Sequence, residues 1–121
     1  MDPFKKLTDL EKEAADFGFK WETTQQIMAQ IKSEIAEIEV HLNDQDQLKL
    51  QDEIGDLLHA VCSLCVFCEI DPEKTLIHSI KKFEKRFRAV QQLARQEGLT
   101  TLQGQSFQKL MALWDQAKKI L

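Results

Sequence analysis

The amino-acid sequence predicts an all-α fold, a helical bundle of about five helices, and three features carry that expectation. Only two prolines and four glycines punctuate 121 residues. No segment shows the alternating β-branched pattern of a strand. Apolar residues instead recur at intervals of three and four along five stretches separated by turn residues.

The first stretch places Phe4, Leu7, Leu10, Ala14 and Phe17 on one stripe, with Pro3 at a favourable first helical position and Gly18 as a stop. A short amphipathic helix from about Pro3 to Phe17 follows. Residues Phe19 to Glu22 read as a connection, and Thr23 or Thr24 caps a longer second helix carrying Ile27, Met28, Ile31, Ile35, Ile38 and Leu42. Asn43-Asp44-Gln45-Asp46 is a polar turn. Leu50, Ile54, Leu57, Leu58, Val61 and Cys65 mark a third helix. It turns apolar on nearly all sides towards Phe67, so that end is expected to be buried, in the domain or between subunits. Asp71-Pro72, an N-cap followed by proline, opens a fourth helix with Leu76, Ile77, Ile80, Phe83, Phe87, Val90 and Leu93, ended by Gly98. Ser106 caps a final helix with Phe107, Leu110, Leu113, Trp114 and Ala117 on its apolar side. No internal repeat or composition break divides the chain, so residues 1–121 read as one domain.

Hydrophobic residues make up 43% and charged residues 30%, an ordinary globular composition that argues against a disordered chain. No apolar stretch approaches the roughly 18–20 residues of a membrane span, and the polar start Met1-Asp2-Pro3 has no signal core behind it. A soluble, cytoplasmic protein is the expectation. The net charge of -4 hides a split: residues 1–60 carry 14 acids against 6 bases, residues 61–121 carry 6 acids against 10 bases. A modestly acidic chain lacks the continuous basic face that a nucleic-acid polymer requires, so none is expected as partner. Cys62, Cys65 and Cys68 have the spacing of metal ligands but no fourth ligand nearby. Their apolar neighbours favour small core residues on a buried helix in a reducing compartment.

Two acidic doublets, Glu34-x-x-Glu37 and Glu53-x-x-Asp56, are the most informative feature. Residues three apart share a helix face, so each doublet aims two carboxylates in a similar direction. Fifteen residues separate Glu37 from Glu53 and the polar turn lies midway, so antiparallel helices bring the doublets face to face. Glu34, Glu37 and Glu53 fall on the flanks of the apolar stripes, with Asp56 further round. Carboxylates at the margin of a core repel one another unless a cation compensates them, and an all-oxygen set suits Mg²⁺ or Mn²⁺. Solvated helix faces carrying ordinary acids are the alternative. Gly55 lies inside the second doublet, where a helix-interior glycine costs about 1 kcal/mol relative to alanine, which suggests close approach by a backbone or ligand.

On the fourth helix Lys82 and Arg86 are four apart and offer two cations to a polyphosphate; a solvated basic face is the alternative. Trp114 and Lys118 form a second such pair, with Trp114 readable as core or as a stacking surface. Trp21 is ambiguous in the same way. His41, His59 and His78 have no mutual spacing that makes a metal or catalytic set, and no role is assigned to them.

This pattern resembles the MazG-type, all-α nucleoside triphosphate pyrophosphohydrolases, whose signature is Glu-x-x-Glu, a spacer, then Glu-x-x-Asp. Phe17-Gly18-Phe19-Lys20-Trp21 resembles the family's Gly-Phe-x-Trp segment, and Glu53-Ile54-Gly55-Asp56-Leu57-Leu58 its central motif. The stretch from Lys82 to Arg88 is similar to its Lys-Phe-x-x-Arg-Phe segment, and Leu113-Trp114-Asp115-Gln116-Ala117-Lys118 to its closing Trp-x-x-x-Lys element. The resemblance implies hydrolysis of a nucleoside triphosphate at the α–β bond to the monophosphate and pyrophosphate, with clearance of nonstandard nucleotides as a family-level expectation. It implies that Glu34, Glu37, Glu53 and Asp56 are the catalytic, Mg²⁺-holding residues (Mn²⁺ as substitute). Lys82, Arg86 and Lys118 would contact phosphates, with Trp114 and Trp21 in substrate binding. It also implies a homodimer, or a dimer of dimers, whose paired helices complete a four-helix core. Two positions depart from the pattern: Ile80 stands where the family commonly has asparagine, and Ser33 where a glutamate is often doubled. The rival expectation is a nucleotide-binding or helical interaction protein that retains the fold but turns over poorly.

Overall fold

Five helices follow one another along the chain: α1 (Pro3–Phe17), α2 (Thr24–His41), α3 (Gln47–Phe67), α4 (Pro72–Gln96) and α5 (Phe107–Ile120). The computed structural model describes residues 1–120, and these contain no strand. No helix among them is long and apolar enough to cross a membrane.

Capping chemistry sets the helix ends. Asp2 accepts from the backbone N–H groups of Phe4 and Lys5 ahead of Pro3, and Gly18 stops α1 in the left-handed region at φ 102°. Thr23, not Thr24, caps α2: its hydroxyl accepts from Gln26 N–H at 3.2 Å while the Gln26 side chain accepts from Thr23 N–H at 3.3 Å. Asp46 caps α3 through Lys49 N–H, and Ser106 caps α5 through Lys109 N–H. The end of α3 is a Schellman turn in which Ile70 N–H reaches Cys65 C=O at 2.8 Å and Glu69 N–H reaches Val66 C=O at 3.1 Å. Its left-handed position is filled by Glu69, at φ 60°, where the equivalent turn after α4 uses Gly98.

The chain forms two compact units, one from Met1 to Glu73 and one from Lys74 onward. In the first, α2 and α3 pack together as a hairpin. Ile27 and Ile31 meet Ala60 near its open end, while Glu37 approaches Glu53 near the turn, which is an antiparallel register. Trp21, Leu57 and Leu64 extend that core. Helix α1 lies against α3, tied by Glu11, which accepts from the Ser63 hydroxyl and pairs with His59 Nε2 at 3.0 Å. In the second unit Val90 of α4 packs with Leu113 and Ala117 of α5, flanked by Leu93, Leu102 and Trp114.

Several apolar stripes face outward within this chain. The buried residues of α3 are Glu53, Ala60 and Ser63, whereas Ile54, Leu58 and Val61 are 42%, 64% and 44% exposed. The expected stripe of Ile54, Leu58 and Val61 is therefore turned to the surface, while Leu57, Ala60 and Leu64 of α3 pack with Ile27 and Ile31 of α2. Ile35 on α2 and Leu76, Ile80 and Phe83 on α4 are exposed too, and Phe17 closes α1 without a cover. The cysteines are less buried than expected: Cys62 and Cys65 are half-buried, Cys68 is exposed, and all are free. Burial, with the nearby Cys65 and Glu11 adding to it, pushes the Cys62 thiol up, which makes it a poor nucleophile.

Two substitutions check this architecture by urea unfolding. Ile27, fully buried, should lose about 2–5 kcal/mol on Ile27→Ala. Glu69→Gly should instead gain up to about 1 kcal/mol by relieving the left-handed backbone.

Candidate functional site

In the first unit, Glu37, His41 and Glu53 bring one ligand atom each within 4.8 Å of one another. Helix geometry explains how. Glu37 and His41 are one turn apart on the last two turns of α2, and the short connection to α3 returns Glu53 to the same level. Glu53 is the unusual member. It lies on the packed face of α3 at 7% exposure, and its Oε2 is buried with no hydrogen-bond partner. Its Oε1 stands 3.4 Å from His41 Nε2. On the other side of the ring, His41 Nδ1–H donates to Asp44 Oδ2 at 2.8 Å, since a carboxylate can only accept.

A buried carboxylate oxygen without a partner is costly unless a cation or donor meets it. The three residues supply oxygen donors from two carboxylates and one imidazole nitrogen, a donor set that suits a divalent cation. This is a possible acidic metal site, and the orphaned Glu53 Oε2 is the observation that fits the residues to it.

The other two acids of the doublets lie outside this group. Glu34, half-buried one turn earlier on α2, accepts from Gln30 Nε2 at 2.6 Å, which turns its Oε1 towards its own helix. Asp56 is exposed on α3, rotated about 60° from Glu53 by the helical repeat. His41, left without a role by the spacing of the histidines, joins the group instead. The signal that could have found it is its interval of four from Glu37 rather than any interval to another histidine. A Cβ placed on Gly55 meets nothing within 4 Å, so none of the described residues makes the close approach expected there.

Trp21 packs on the Ile27/Ile31/Ala60 core and also lines an open cavity of about 580 Å³ with Lys12, Lys20, Ser63 and Phe67. It is not part of the Glu37/His41/Glu53 group.

In the second unit the aromatic and cationic residues assemble separately. Trp114 is half-buried against the Val90/Leu113/Ala117 core, and the Arg86 guanidinium lies over its ring at 5.7 Å, a cation–π arrangement. Phe83 meets the same ring at 5.9 Å and stacks on Phe87 at 6.1 Å. Trp114 is thus both a core residue and a platform. Lys82 is exposed one turn before Arg86. Lys118 stands 3.8 Å from Asp115 in an exposed pair that holds it only weakly.

Comparison with known proteins places this geometry in context. Residues 22–91 match the MazG nucleotide pyrophosphohydrolase domain. The chain is 30% identical over 109 residues to the nucleoside triphosphate pyrophosphohydrolase/pyrophosphatase MazG of Thermotoga maritima, covering 90% of this chain and 41% of that protein. It is 32% identical over 112 residues to a nucleoside triphosphate pyrophosphohydrolase of Escherichia coli, covering 91% of this chain and 42% of that protein. The chain therefore spans less than half the length of these relatives.

Because the space beside Gly55 is open, Gly55→Ala should raise the unfolding free energy by about 1 kcal/mol through helix propensity alone. A thermal or urea melt showing a loss instead would place a second chain or a ligand against that turn.

Proposed function

This chain belongs to the MazG nucleotide pyrophosphohydrolase family, and from that premise we propose that it hydrolyses nucleoside triphosphates at the α–β linkage to the monophosphate and pyrophosphate. Water adds across the linkage: a new P–O bond forms to the water oxygen, the bridging P–O bond breaks, and a proton is released. The observation that carries the reading is the buried Glu53 carboxylate, with one oxygen unpartnered, beside Glu37.

In this proposal Glu37 and Glu53 hold the divalent cation, Mg²⁺ or Mn²⁺, and Glu34 and Asp56 complete the catalytic acidic set from the adjacent turns of the same helices. A bound ion of this kind polarises phosphate oxygens, orients the substrate and lowers the pKa of water. Burial of Glu53 supports the holding role, because a carboxylate fixed in a packed interface loses little further freedom when it binds. Lys82 and Arg86, on one face of α4, contact the phosphates and neutralise charge on the departing pyrophosphate. Lys118 adds a third cation. Trp114, held by its own core beneath Arg86, takes part in substrate binding beside that cation, and Trp21 does so from the wall of its cavity. The whole chain acts as one catalytic domain.

The protein works as a homodimer, or a dimer of dimers. Ile54, Leu58 and Val61 recur along one outward line of α3 and support this, since monomers rarely leave such a stripe uncovered. A second copy would bury it and complete a four-helix core. Leu58→Glu should then shift the dimer to monomer in size-exclusion chromatography with light scattering.

Activity is tested by incubating the purified protein with standard and modified triphosphates, with Mg²⁺ or with EDTA, and following products by phosphorus NMR. Monophosphate and pyrophosphate should form, and EDTA should abolish them. Glu53→Gln should reduce turnover by more than the roughly 100-fold typical of losing an outer partner of a metal site. Nucleotide binding without product from any substrate would leave a binding protein that keeps the fold, and would overturn the catalytic reading.

A further inference from the structure

We propose that His41 supplies an imidazole nitrogen to the carboxylate site, so that the cation held by Glu37 and Glu53 is bound through nitrogen as well as oxygen and Mn²⁺ is favoured over Mg²⁺. This rests on the reading of Glu37 and Glu53 as cation ligands. Asp44 carries the argument from one side. It accepts the Nδ1–H bond at 2.8 Å, and in the neutral ring that leaves Nε2 as a bare lone pair. Glu53 carries it from the other. Nε2 stands 3.4 Å from Glu53 Oε1, beyond the 2.7–3.2 Å range of a hydrogen bond from nitrogen, so the neutral ring sets one acceptor opposite another across the gap.

A cation between them resolves this opposition. At 3.4 Å Nε2 and Oε1 are near enough that one cation would take both as ligands. The second oxygen of Glu53 supports a cation at this carboxylate: the side chain is more than nine-tenths buried, and Oε2 has no partner. Orientation of a ligating histidine by a carboxylate on its other ring nitrogen is the usual way such a residue is held for a metal. Asp44 is therefore a positioning residue and His41 a ligand. Nitrogen donation changes the preference among ions. Mg²⁺ keeps to oxygen and sheds water reluctantly, whereas transition ions accept imidazole readily.

The probe is Mn²⁺ alone, added to the purified full chain without nucleotide. Titration of free Mn²⁺ by EPR gives affinity, and pulsed EPR of the bound ion reads coupling to a coordinated ¹⁴N nucleus. Wild-type protein should show that coupling. His41→Ala should lose it and weaken Mn²⁺ binding by about ten-fold or more, with a smaller change for Mg²⁺ measured by competition, and Asp44→Asn should weaken Mn²⁺ by about ten-fold. His41→Gln, which keeps a polar side chain of similar reach, serves where His41→Ala fails to fold by circular dichroism. Bound Mn²⁺ without nitrogen coupling in the wild type, or coupling that survives both His41 variants, would overturn the role of His41 while leaving the carboxylate site intact. Absence of Mn²⁺ binding, or binding indifferent to Glu53→Gln, would instead overturn the cation-site reading beneath it.

Discussion

The burial of one carboxylate organises the first unit. Glu53 is buried on α3, one to three turns before Leu57, Ala60 and Leu64, which pack with Ile27 and Ile31 of α2, while Ser63 turns to Glu11 of α1. That packing excludes water from Glu53. An ionised group so placed destabilises the packed state unless something of opposite charge meets it. Nothing within hydrogen-bonding range of Oε2 does. The packing of α2 on α3 thus prepares a point of unbalanced negative charge, with Glu37 adding to it from the opposite helix.

Around that point the local structure is over-determined. The capping box at Thr23 and the Asp46 cap set where α2 begins and α3 begins. The connection between the helices is short enough to bind their register, which is what brings Glu37 level with Glu53. Asp44 sits in that connection and orients His41 from outside. The turn that closes the hairpin is therefore also the element that aims the imidazole, so a local feature of chain reversal has a chemical consequence at the site.

The second unit works by a different economy of contacts. Trp114 is anchored by Leu113 and Ala117 on its own helix and by Val90 on α4, and this leaves one face of the indole for Arg86. Phe83 and Phe87 continue the aromatic row along α4. Elsewhere the outward faces of α2, α3 and α4 keep aliphatic side chains exposed. Such a distribution means that much of the apolar surface encoded in the chain is not consumed by its own folding, which is the physical basis for proposing a second copy.

Helix existence and helix ends were legible in the residues alone, because both arise from local causes. Apolar spacing, Pro3, Gly18, the Asp71-Pro72 pair and Ser106 act within a turn or two of themselves, and family kinship is carried by motifs of the same short range. Which side of each helix is covered was not legible. Ile54, Leu58 and Val61 are as apolar as any core residue, yet they face outward while Leu57, Ala60 and Leu64 pack with α2 and Glu53 and Ser63 are buried, because how the helices meet, and not apolarity alone, decides which side is covered. Likewise the Glu-x-x-Glu and Glu-x-x-Asp spacings marked four acids, but only the tertiary arrangement shows that Glu37 and Glu53 come together with His41. That choice depends on rotamers, on Gln30 drawing Glu34 aside and on a turn that swings Asp44 behind the imidazole, all of which exist only once α2 and α3 have met.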